Sequence, residues 1–129
     1  MRRGRKSESA ASRRARKEFT ETVLDMGGCQ IPLDHTCDGP MDACHVIFKQ
    51  FLKVHAKTNL RLGEASVLDC VWDPRNGIPG CREGHRMFDS PFHTTPFRLL
   101  PSEAVEFAID YNCIWKLESM YPDDSKEEL

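Results

Sequence analysis

No apolar run in the 129 residues approaches the roughly 18 to 20 positions that a membrane-crossing helix needs, so a spanning segment of that kind is excluded. The basic start, MRRGRKSESAASRRARK, is followed by no apolar stretch and does not read as a secretory signal; the expected location is therefore cytoplasmic. No internal repeat is visible, and the length suits one domain with a modest core rather than two. What remains, with 40% hydrophobic and 29% charged residues, is a soluble globular composition.

The net charge of −2 hides an uneven distribution. Residues 1–17 hold eight Lys/Arg against the single acid Glu8, whereas the remaining 112 carry ten basic and nineteen acidic side chains and end in DDSKEEL. A basic arm on an acidic body reads either as a phosphate-contacting element, because neutralising phosphates releases counterions, or as a solvated terminus. Six cysteines without an export signal point away from disulfides and toward metal ligands or buried thiols. Cys29, Cys37, Cys44 and Cys81 lie in turn-rich sequence beside His, Gly and Pro, where ligands tend to sit. Cys70 and Cys113 have apolar neighbours and read as small core residues.

Periodicity gives a coarse layout. A helix is expected from about Ser9 to Met26, with Phe19, Val23 and Met26 on one face and Gly27-Gly28 as its stop. The segment CQIPLDHTCDGPM reads as turns. A β-prone stretch covers His45 to Phe48, and Val54–Glu64 reads as a loop. The alternating ASVLDCVWD reads as a short strand ending at Pro74, and a helix is expected over about Pro79–Phe88. Pro91 and Pro96 make the next segment irregular. A last helix starts near Ser102, with Val105, Ala108, Ile109 and Trp115 on its apolar side. Trp72 is most simply a core aromatic as well.

In order, then, the chain offers a histidine on a strand, an Asn-Gly turn and a histidine on a helix. With the quoted residues ACHVIFKQ, WDPRNGIPGC and GHRMFD, residues 29–90 resemble the HNH nuclease family, the ββα-metal nucleases, and the flanks resemble those of phage-encoded members. The resemblance implies an α+β fold: a small ββα-metal, HNH-like module over residues 29–90. It would follow a basic arm and helix (1–28) and precede a C-terminal helical extension with an acidic tail (91–129). It implies a metal-dependent endonuclease acting on DNA, at work in a host cytoplasm if the chain is phage-encoded. His45 holds the place of the general base and Asn76 that of the residue ordering the catalytic loop. His85 holds the place of the metal-binding histidine, with Asp89 one helical turn on as a further ligand.

The chain departs from the family pattern at two points. The position before the base, often Asp, Glu or His, is Cys44. A thiolate there favours zinc over magnesium; otherwise the ligand is Asp42 or a water, so Mg, Mn, Ni and Zn all stay open as the divalent ion. The family's two CxxC pairs, which hold a structural zinc, are also altered. The first is stretched to Cys29 and Cys37, and the second has Gly84 where the partner of Cys81 would stand. That leaves Cys29, Cys37 and Cys81, with His35 or Cys44 as fourth ligand. Arg13, Arg14, Arg16, Lys17, Lys49 and Arg75 are the candidate phosphate contacts. His55 and His93 match no motif position and read as surface or structural residues; His93 lies just past the site, where a groove could run. The alternative function is a non-catalytic, zinc-stabilised DNA-binding module on the same fold.

Overall fold

The structure, a computed structural model, describes residues 8–123. Residues 1–7, with Arg2, Arg3, Arg5 and Lys6, and nearly all of the acidic end lie outside the described residues. Helix α1 spans Ala10–Leu24, capped by Ser9, whose hydroxyl accepts from the Ser12 amide at 3.1 Å. Strand β1 (Met41–His45) pairs antiparallel with β2 (Gly77–Cys81), and α4 (Arg82–Phe88) follows β2 directly. Between the strands lie α2 (Lys49–Val54), continued by a wider π turn (His55–Asn59), then α3 (Glu64–Val71) and a 3-10 turn at Pro74–Asn76. A 3-10 turn at Phe97–Leu99 leads to α5 (Ser102–Asp110) and α6 (Ile114–Met120). The fold is α+β: six helices around one two-stranded sheet among the described residues.

The hairpin has two covered faces because successive strand residues alternate sides. His45 pairs with Gly77, and α1 lies over that side: a Cβ on Gly77 would stand 2.4 Å from a Val23 methyl and 2.8 Å from the Phe19 ring. Phe19 and Val23 are fully buried there, worth roughly 1.5–3 kcal/mol each. On the other side Cys44 pairs with Ile78, and both join a core with Ile47, Leu52, Val71, Phe107 and Leu117. The Tyr121 hydroxyl donates to the Val46 carbonyl and its ring stacks on Phe88 at 5.5 Å, so the C-terminal helices close the same core as the hairpin.

Several sequence expectations change. The segment expected as a strand at ASVLDCVWD is helix α3. Its buried residues Val67, Cys70 and Val71 fall at spacings of three and four, a helical stripe that the short alternation of apolar letters masked. The second strand is GIPGC instead, in which two glycines and a proline, all depleted in strands, outnumber the single strand-prone Ile78. Pro79 is tolerated because its ladder side faces away from β1, where its carbonyl accepts from the Gln30 amide at 2.8 Å. The loop expected at 54–64 is largely helical, and β1 begins at Met41 and ends at His45, so Phe48 opens α2. The final helix is two: Asn112 at φ 55° breaks it. The buried side of α5 is Ala104, Phe107 and Ala108, while Ile109 and Trp115 are 61% and 53% exposed. Met26 lies past the end of α1 and is exposed. Cys70 and Cys113 are buried core thiols, as their apolar neighbours suggested.

Candidate functional site

At the C-terminal end of β1, three neighbours hold His45. Its ring stacks on Phe19 at 4.4 Å and meets Trp72 edge-on at 5.2 Å, and its Nε2 lies 3.0 Å from the Val71 carbonyl. A carbonyl only accepts, so Nε2 carries the proton and Nδ1 carries the lone pair. Burial pushes the ring down to about 4, outweighing the Val71 hydrogen bond, with Lys49 and His85 adding like-charge repulsion. Near neutral pH His45 is therefore a neutral imidazole with one nitrogen open to accept a proton.

Asn76 is fully buried two residues before Ile78 and binds the strand end from across the hairpin. Its Oδ1 accepts from the Ile47 amide at 2.9 Å and its Nδ2 donates to the Ile47 carbonyl at 3.0 Å. This paired contact copies a β-ladder rung with a side chain. It fixes the chain two residues past His45 while the Asn76 carbonyl takes the Val46 amide at 2.9 Å.

His85, on α4, has a carboxylate on each ring nitrogen: Asp42 Oδ2 at 3.0 Å from Nδ1 and Asp89 Oδ2 at 3.0 Å from Nε2. The Asp42 carboxyl lies below its ordinary range because Arg82 and His85 bond to it, Arg82 Nε at 3.0 Å. Burial instead raises Asp89, against the pull of His85. The ring thus stands between two carboxylate oxygens, a nitrogen-and-oxygen donor set of the kind that holds a divalent cation. Imidazole favours Ni or Zn and carboxylate oxygen Mg or Mn, so the mixed donor set does not select one ion. Cys44, expected as a ligand here, is a core thiol: it is fully buried, burial pushes it up to about 12, and its Sγ lies 3.8 Å from the Asp42 carbonyl. Asp42 fills the position on His85 that the thiol does not. His45 and His85 share no hydrogen bond or ring contact; each is held by its own partners.

A second cluster lies beyond the other end of the hairpin, where Cys29, His35, Cys37 and Cys81 bring their ligand atoms within 4.8 Å of one another. His35 Nε2 is 3.4 Å from Cys29 Sγ and 3.6 Å from Cys37 Sγ. A tetrahedral zinc with Zn–S near 2.3 Å and Zn–N near 2.0 Å has S···N edges of roughly 3.5 Å, so the donor set fits that ion. His35 Nδ1 donates to the Leu33 carbonyl at 2.6 Å, which fixes the tautomer that aims Nε2 at the thiols. Burial raises the Cys81 thiol, but hydrogen bonds from the backbone of Gly84 and Asp38 outweigh it and bring it down to about 6. The absence of a second cysteine at Gly84 now has a reason. A Cβ there would stand 2.7 Å from His35 Nε2, so the histidine occupies the space a CxxC thiol would use.

The candidate phosphate contacts divide. Arg14 is exposed, and Arg13 donates to the Glu8 carbonyl at 2.7 Å. Arg16 pairs with Glu8 at 2.7 Å and Lys17 with Glu21 at 3.9 Å. Lys49 stands 5.1 Å over the Trp72 ring. Arg75 is tied to Asp73 at 3.0 Å and Asp110 at 2.6 Å, so it braces α5 against the 3-10 turn. His55 is buried and structural, between Tyr111 and Asn59, whereas His93 is exposed. Sequence reasoning missed Arg82 and the Val71 carbonyl, the latter because a backbone acceptor 26 residues away leaves no letter to read. No family model matches the chain, nor does any curated protein or solved structure.

Proposed function

We propose that the chain is a metal-dependent endonuclease of the ββα-metal type that hydrolyses DNA phosphodiester bonds. The observation that carries the reading is the state of His45: a neutral ring, immobilised by Phe19 and Trp72, with Nε2 committed to Val71 and Nδ1 left as the base. Nδ1 takes a proton from water as the oxygen attacks phosphorus and the P–O bond to the leaving oxygen breaks. Asn76 keeps the strand end, and with it the ring, in register. His85, with Asp42 or Asp89 beside it, would hold the divalent cation, which supplies charge stabilisation at the phosphate and the leaving oxygen. The Cys29–His35–Cys37–Cys81 cluster would hold a structural zinc that ties the turn-rich segment before β1 to the end of β2.

The test is nicking of supercoiled plasmid with added Mg, Mn, Ni or Zn. Wild type is expected to cut and His45→Ala to lose at least 100-fold, the usual scale of a general base. Equal rates in the two proteins, or no cutting with any ion, refute the reading. A zinc-stabilised DNA-binding module is the second reading, favoured by the buried thiol of Cys44 and by the carboxylates already on both nitrogens of His85. It expects a gel shift and bound zinc without nicking.

A further inference from the structure

Between α1 and the pair α2 and α3 lies a cavity of about 630 Å³ whose walls carry three cations, Arg16, Lys49 and Lys53, against one carboxylate, Glu8. Arg16 stands four residues after Ser12 on α1, and Lys53 four after Lys49 on α2, so each pair shares a helical face. Neither lysine makes an ion pair among the described residues; Lys49 instead lies 5.1 Å over the ring of Trp72. Trp72 and Val71 line the same cavity, and both hold the His45 ring, one edge-on and the other through its carbonyl.

The carboxylate in this space is held as a ligand would be. Arg16 grips it with both arms of the guanidinium, Nε to Oε2 at 3.1 Å and Nη2 to Oε1 at 2.7 Å. The Ser12 hydroxyl donates to Oε2 at 3.1 Å, and Arg13 donates to the Glu8 backbone carbonyl at 2.7 Å. A guanidinium fork of this geometry binds carboxylate and phosphate oxygens alike. Glu8 lies ahead of the cap Ser9, and both it and Arg16 are partly exposed, so the pair is weak enough to exchange with another anion. With Glu8 in place, three cations against one carboxylate still leave an excess of positive charge. Such a lining suits a polyanion, which releases counterions as it binds.

We infer that this cleft takes the phosphodiester backbone of DNA beside His45, with Arg16, Lys49 and Lys53 as phosphate contacts and Glu8 lodged in the Arg16 fork until a phosphate displaces it. Glu8 is then an internal competitor that weakens association with DNA. The inference rests on the nuclease reading above and deepens it.

The test is binding of duplex oligonucleotides by the full chain over a series of salt concentrations, without added divalent metal. Lys49→Gln and Lys53→Gln should each weaken binding alike for unrelated sequences and lower the slope of log affinity against log salt by about 1. Glu8→Gln should do the reverse, raising affinity roughly 3- to 5-fold, the scale of an exposed ion pair that wild type gives up on binding. Glu18→Gln removes the same charge from the same helix outside the cleft and should change affinity by less than about 1.5-fold, because salt screens it. If Glu8 only braces the start of α1, Glu8→Gln lowers the melting temperature and binds DNA no better than Glu18→Gln, which overturns the competitor. Salt slopes unchanged in both lysine variants overturn the cleft. Inorganic phosphate should leave the melting temperature where chloride of equal ionic strength leaves it. A phosphate-specific rise that Lys49→Gln abolishes assigns the cleft to a free anion and also overturns the inference. DNA binding with the expected slopes but no plasmid nicking by wild type supports the cleft and overturns the nuclease reading alone. Failure of wild type to bind DNA overturns both.

Discussion

Acidification should withdraw stability through His45 before it does so through most carboxylates. The folded ring titrates at about 4 against an ordinary 6.5, so between those values the unfolded chain binds the proton that the folded chain refuses. Stability is then complete above pH 6.5 and is lost as pH falls toward 4. At 1.36 kcal/mol per pH unit, the gap of about two and a half units sets a ceiling of about 3 kcal/mol. The ring keeps some contact with solvent, and screening there lowers the expectation to about 2 kcal/mol. Asp42 also loses stabilisation in acid, below its ordinary range, and a metal held by the thiol cluster would be released there, so wild type alone is not diagnostic. The assay is urea unfolding of wild type and His45→Gln in parallel from pH 7.5 to 4.5 at fixed zinc, with stability taken from midpoint and slope. The advantage of wild type over the glutamine variant should shrink by about 2 kcal/mol across that range. A constant difference refutes the claim that burial holds the ring neutral.

Removing the Asn76 side chain leaves the Ile47 amide and carbonyl unpaired in the core; Asn76→Ala should cost about 2–5 kcal/mol in chemical denaturation. Asn76→Asp should not restore it, because a carboxylate cannot donate to the Ile47 carbonyl. Purified protein should carry one zinc per chain by elemental analysis, and Cys29→Ser should abolish it and lower the melting temperature. In Gly77→Ala the added methyl would press on Val23 and Phe19. It should cost about 1–3 kcal/mol and slow plasmid nicking, since Phe19 is the stacking partner of His45.

How much of this could be read from letters depends on where the information lies. His45, Asn76 and His85 can be singled out from the letters because each is a side chain with a defined offset from a turn. The groups that surround His45 cannot: the Val71 carbonyl is backbone, and Trp72 and Phe19 come from elements whose packing no spacing encodes. The second strand was placed in ASVLDCVWD since alternation and a helical stripe coincide over so few residues, whereas GIPGC pairs by register with β1 despite its composition. Cys44 looked like a ligand by proximity to His45, but neighbours on a strand point to opposite faces, so one turns to α1 and the other to the core. The four-residue cluster was closer to the surface of the sequence, because turn-rich cysteines and a histidine leave few other uses for themselves.

The stacking of Phe19 on His45 carries a consequence for dissection of the chain. A fragment starting at residue 29 would retain every letter by which the motif is recognised, yet one wall of the imidazole would be water. The ring would regain its freedom to swing and its readiness to protonate in mild acid. On the nuclease reading proposed above, the first helix is part of what holds the base, and a competent fragment would have to include it.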